Sequence, residues 1–74
     1  MTQLSELTAT QLHEAFAKAG MKVAAERHGD VFNVVRRGGI AEAVGTLKAG
    51  CSAETHKKAR KALRRALREF GVEI

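Results

Sequence analysis

Residues 21–39, MKVAAERHGDVFNVVRRGG, decide the fold, because their apolar residues fit two different periods. Read at period two, they form a β-hairpin with strands near 21–27 and 31–37 around a tight His28-Gly29-Asp30 turn. Val23, Ala25 and Arg27 alternate with Lys22, Ala24 and Glu26, and the second arm, Val31 to Val35, is β-branched and aromatic. Read at the helical period, residues 20–29 followed by 30–37 have the cadence of a helix-turn-helix, with Ala25, Gly29 and Val35 near the expected positions. Alanine supplies 13 of the 74 residues, which favours helix. Against the helical reading, His28 and Asp30 fall where that motif wants buried aliphatic side chains, and a buried unpaired aspartate is costly. The hairpin is the reading adopted.

Outward from there, Gly38-Gly39 reads as a second turn and residues 40–48 as a third strand. Ile40, Glu42, Val44 and Thr46 would face one way, and Ala41, Ala43, Gly45 and Leu47 the other. The expected fold is α+β, a single small domain over residues 1–74 in the order α-β-β-β-α. Its three-stranded antiparallel sheet is packed on one face by two helices. The alternative is an all-α helix-turn-helix. Residues 1–7 are a short lead-in and residues 72–74 a C-terminal tail.

The flanking helices are better signposted. Thr8 and Gln11 form a capping box, and Leu7 and Leu12 the hydrophobic staple that accompanies one. Leu12, Ala15, Phe16 and Ala19 continue an apolar stripe that Gly20 closes, giving a helix over about residues 9–19. Toward the chain end, Ser52 is an N-cap, Glu54 lies in the first turn and Gly71 stands at a left-handed C′ position, with Val72 able to pack back on Leu67. Between them Ala59, Ala62, Leu63, Ala66, Leu67 and Phe70 recur at i, i+3, i+4, i+7, i+8 and i+11, the stripe of a core-facing helix.

The other side of that helix carries the functional signal. Lys57, Lys58, Arg60, Lys61, Arg64, Arg65 and Arg68 occupy one face, which is seven of the chain's 13 cations on one helix. Residues 52–74 hold only three acids against them, whereas residues 1–51 are nearly balanced at six cations and five acids. A helix built for solubility mixes signs at i, i+4 to gain pair energy; this one presents a positive strip to a polyanion. Phosphate-led nucleic-acid binding follows, with Lys57, Lys61, Arg64 and Arg68 at the centre of the strip and Arg36-Arg37 as a second contact. No asparagine, glutamine or aromatic is interleaved to read base edges, so specificity should be weak.

Other chemistry finds little footing. Cys51 is the only cysteine, which rules out an internal disulfide and a cysteine-based zinc site and suits a reducing cytoplasm; it reads as a small buried filler. His13, His28 and His56 have no ligand spacing, and the carboxylates form no pair suited to acid–base work, so no metal, cofactor or catalytic residue is expected. With no tyrosine or tryptophan and three phenylalanines, a base-stacking platform is not expected either. No run of 18 apolar residues and no signal-peptide pattern is present, so a soluble cytoplasmic protein without a membrane partner is expected. At this size dimerisation would help stability.

The α-β-β-β-α order and the chain's length resemble the double-stranded-RNA-binding-domain fold, and the chain's end resembles the HicA-type toxins. Those close on a segment near G-T-L-R-x-I-L-x-Q-A-G-I; the counterpart here is Lys61 to Val72. Leu63, Arg64, Leu67 and Gly71 match, Arg68 and Val72 are conservative, and Ala66, Glu69 and Phe70 differ. The resemblance implies messenger-RNA cleavage by a histidine in a G-S-H motif, but Arg27-His28-Gly29-Asp30 stands in that region. The wider RNA-binding family opens its last helix on serine-lysine-lysine-x-alanine-lysine to grip phosphates. Residues 55–60 echo it with Lys57 and Arg60 on matching positions and His56 replacing a lysine. The family's glycine-proline-x-histidine loop is absent. The expectation is thus a small regulatory nucleic-acid-binding protein, not an enzyme, for duplex RNA or DNA. A HicA-like mRNA interferase of a toxin-antitoxin pair, a helix-turn-helix DNA-binding regulator, and an inhibitor or adaptor for an acidic protein partner are the alternatives.

Overall fold

The capping box forms as the sequence dictates. Gln11 donates its backbone N–H to the Thr8 hydroxyl at 3.2 Å, and Thr8 returns its own N–H to the Gln11 side chain at 2.9 Å. This starts α1 (Ala9–Lys18) in the computed structural model, which describes residues 2–74. A 3-10 turn at Leu4–Glu6 precedes α1, and four more helices follow: α2 (Lys22–Arg27), α3 (Val31–Arg36), α4 (Ile40–Leu47) and α5 (Ala53–Arg68). Among the described residues there is no strand, and the β-type pairing is one isolated parallel bridge between Thr2 and Val72. It ties the lead-in to the C-terminal tail, with Thr2 N–H on the Gly71 carbonyl at 3.2 Å.

The expected three-stranded sheet is therefore corrected to an all-α fold. Burial shows which period governs the middle of the chain. Met21 at the N-cap of α2 and Ala25 within it are buried, as are Val31 and Val35 on α3 and Ile40, Ala43 and Val44 on α4, all at i, i+3 or i+4 spacing. The strand reading had put Ala43 on the face opposite Ile40 and Val44 and had put Glu42 beside them; Ala43 is instead buried with them and Glu42 is exposed. The objection to helices also fails. Asp30 is exposed at the N-cap of α3, and His28 is exposed in the connection, so no unpaired aspartate is buried.

Gly38-Gly39 is a helix stop, not a hairpin turn. Gly38 has φ +88° and donates its N–H to Val35 at 2.8 Å, while Gly39 donates to Val34 at 2.9 Å. That pair of bonds is a Schellman closure of α3, with Gly38 as the left-handed C′ residue. Gly39 must lack a side chain for another reason: a Cβ there would lie 2.8 Å from Val34 Cγ1 and 3.1 Å from the Val34 carbonyl oxygen.

These helices are too short to persist alone, at six to ten residues for α1 to α4, so packing holds them. The 16-residue α5 is the centre of the arrangement: α1 and α4 both pack on it, α2 packs on α1, and α3 packs on α4 and the 3-10 turn. Phe16, Leu12, Met21, Leu63 and Leu67 are the largest buried side chains, and no polar side chain is buried among the described residues. Leu7 and Val72 are buried in the same cluster as Leu12 and Leu67.

Candidate nucleic-acid interface

The geometry of α5 follows from its caps and its stripe. Ser52 caps it, its hydroxyl accepting the Thr55 N–H at 3.2 Å. Ala59, Leu63, Ala66 and Leu67 are buried, and Ala62 and Phe70 are half-buried at the stripe's edge. At 100° per residue the seven cations then cover roughly 160° of the opposite side. At 1.5 Å per residue the strip from Lys57 to Arg68 is about 17 Å long on a helix of about 24 Å.

The structure separates these cations by what they hold. Lys57, Lys61, Arg64 and Arg65 are exposed and have no ion pair or hydrogen bond among the described residues; Arg60 is half-buried and likewise unpaired. Lys58 sits 3.6 Å from Glu54, an exposed pair of small energetic worth. Arg68 donates Nε to the Ile74 carbonyl oxygen at 2.7 Å, which ties the tail to the helix. The strip's free centre is thus Lys57, Lys61 and Arg64, with Arg68 partly engaged.

Arg36 and Arg37 part company. Arg36 is half-buried, its Nη2 bonded to the Leu7 carbonyl at 3.2 Å and its Nε buried without a partner. It clamps α3 to the end of the lead-in. Arg37 is exposed, and the following Gly38 lines a cleft with Arg64 and Arg68, which sets Arg37 near that end of the strip.

Comparison with protein families, curated proteins and solved structures found no match to this chain. The α-β-β-β-α order from which the resemblance to RNA-binding domains drew its fold is not the order of this chain. What the strip can do rests on its own chemistry.

One feature of that chemistry was hidden in the sequence. Glu69, at the C-terminal end of α5, accepts from Lys18 of α1 at 2.7 Å, and the Lys18 ammonium also lies 5.6 Å from the Phe70 ring centre. The hydrogen bond from Lys18 holds the Glu69 carboxyl below its ordinary range, and the same bond raises Lys18. Glu69 is therefore committed sideways to α1 and leaves the outer face of α5 positive. The two partners stand 51 positions apart, beyond any local pattern. Cys51 is exposed, which corrects its reading as a buried filler. Among the described residues no group of three or more His, Cys, Asp or Glu side chains is placed to hold a metal. No helix among them is long and apolar enough to cross a membrane.

Proposed function

We propose that this protein binds nucleic acid through the outer face of α5, gripping phosphates and reading sequence weakly. The observation that carries the proposal is the unbalanced strip: Lys57, Lys61, Arg64 and Arg65 exposed on one helix, with the acid of its first turn, Glu54, and the acid at its C-cap, Glu69, each engaged by a lysine. A polyanion laid along this face neutralises charges of which Lys57, Lys61 and Arg64 have no ion pair or hydrogen bond among the described residues, so little is broken to make the contact. Arg64 and Lys61 carry the centre, Lys57 and Arg68 extend it along the helix, Lys58, Arg60 and Arg65 form its margins, and Arg37 lies beyond the α3–α4 turn. Arg36 is a structural clamp in this reading. The role is binding and regulatory, not enzymatic, and the single unpaired thiol suits a reducing cytoplasm.

The test is a salt titration of the purified protein on fluorescent duplex RNA, duplex DNA and single strands. Four phosphate contacts give a log–log slope near −3.6 on duplex DNA. Lys61→Glu with Arg64→Glu should abolish binding and leave the helical circular-dichroism spectrum intact. Affinity unchanged in that variant removes α5 from the site.

A further inference from the structure

A second surface lies away from the strip. A groove of about 570 Å³ runs between α2, the α1–α2 connection and the end of α4, and no α5 residue lines it. Met21, Val23, Ala24 and Leu47 are among its apolar lining. Val23 is 61% exposed, the most exposed large hydrophobic side chain among the described residues. It is exposed because α2 already buries Met21 and Ala25 on its inner side, which turns Val23 outward by about 200° from Met21. Lys22, Arg27, Lys48 and His28 line it as well, and no carboxylate does.

We infer that this groove docks a short acidic segment of a protein partner, seated by apolar side chains on Val23 and Leu47. The argument is charge complementarity beside an apolar lining. A polyanion that binds only by charge has no use for an exposed valine between two cationic helix positions, and an uncharged apolar peptide would leave Lys22, Arg27 and Lys48 facing nothing. A segment of carboxylates flanking one or two aliphatic side chains satisfies both parts, and the groove lies within the size range that seats such anchors. The inference stands independently of the α5 reading, because the two surfaces share no residue.

The test uses the full chain, isotopically labelled, titrated by NMR with a synthetic peptide in which glutamates flank two leucines. Amide shifts should centre on Val23, Ala24, Leu47 and Lys48. The same peptide with serines for leucines should bind about tenfold more weakly, as should the leucine peptide on Val23→Asp. Val23 is exposed, so that variant keeps its fold, and Lys22→Glu with Arg27→Glu is a second check that leaves the apolar lining intact. Equal binding of the serine peptide overturns the inference, since charge alone would then explain it. So does a shift pattern that falls on Lys57 to Arg68, or displacement of the peptide from these amides by a single-stranded oligonucleotide.

Discussion

Alanine at Gly39 tests the α3–α4 connection at the level of single contacts. Gly39 has φ −86°, which any L-residue can adopt, so backbone strain does not enter. The obstacle is the 2.8 Å approach of a new Cβ to Val34 Cγ1 and its 3.1 Å approach to the Val34 carbonyl oxygen. The first contact is with a side chain that can rotate. The second is with backbone already fixed by the 2.9 Å bond from Gly39 itself. Overpacking of this kind costs about 1–3 kcal/mol, and the lower entropy of an unfolded alanine chain offsets about 0.4–1 kcal/mol. The net destabilisation is about 1–2 kcal/mol, a fall in Tm of about 4–16 °C at this chain length. Val34→Ala removes Cγ1 and, being a half-buried truncation, costs about 1 kcal/mol alone. Combined with Gly39→Ala it should be milder than the two separate effects added, by about 1 kcal/mol. Urea or thermal melts of the four proteins, followed by circular dichroism, measure the coupling. Gly38→Ala is the control: nothing lies within 4 Å of its added Cβ, so its cost is left-handed strain alone and Val34→Ala should not relieve it. Additivity within about 0.3 kcal/mol at Gly39 would refute the close approach to Val34 Cγ1.

Two further outcomes concern charge. Glu69 has a lowered pKa in the folded chain, so its pairing stabilises above its ordinary value of 4.5 and is lost as the pH falls; Lys18 has a raised one, so its share is present below 10.5 and is lost as the pH rises through its folded value. The Tm gap between the parent and Glu69→Gln should be small, steady between those limits and closed in acid, as differential scanning across pH will show. Salt should raise the Tm of this protein: α5 holds four i,i+4 and four i,i+3 pairs of like charge, at about 0.2–0.5 kcal/mol of repulsion each, against two exposed ion pairs among the described residues. A Tm that falls between low and physiological salt would mean the strip's charges are already compensated.

The two end helices were legible in the sequence because each carries both a period and a cap. Thr8 with Gln11, and Ser52 with Gly71, mark boundaries that the structure keeps within a residue or two. The middle was not legible because its apolar runs are short. Val31 to Val35 is β-branched enough for a strand, and Met21 to Arg27 satisfies both alternation and i, i+4 spacing. Asp30 is exposed at the start of α3, so the burial cost that weighed against helices there does not arise. Gly38-Gly39 then followed the wrong period, since a hairpin turn and a Schellman closure ask for the same residue. The strip on α5 was visible whole. What lay outside sequence reasoning were the contacts that sort it: Lys18 to Glu69, Arg36 to Leu7, and Arg68 to the chain end.

The same helix serves the fold and the candidate site, on opposite faces, and the small residues are what make this workable. Ala59 and Ala66 share the inner stripe with the fully buried Leu63 and Leu67, on the side of α5 that α1 and α4 cover. A core that narrow leaves most of the circumference of α5 outside it. The like-charge repulsion estimated above, roughly 2–4 kcal/mol in sum, is a large fraction of the roughly 4–11 kcal/mol that a chain of this length has in hand. A surface serving only solubility reaches the same end with mixed signs and gains stability by doing so. The one-sided charge therefore argues for a ligand that relieves it. Its position on a face the core does not use means charge reversal at Lys61 and Arg64 tests the proposed binding while the core contacts stay in place.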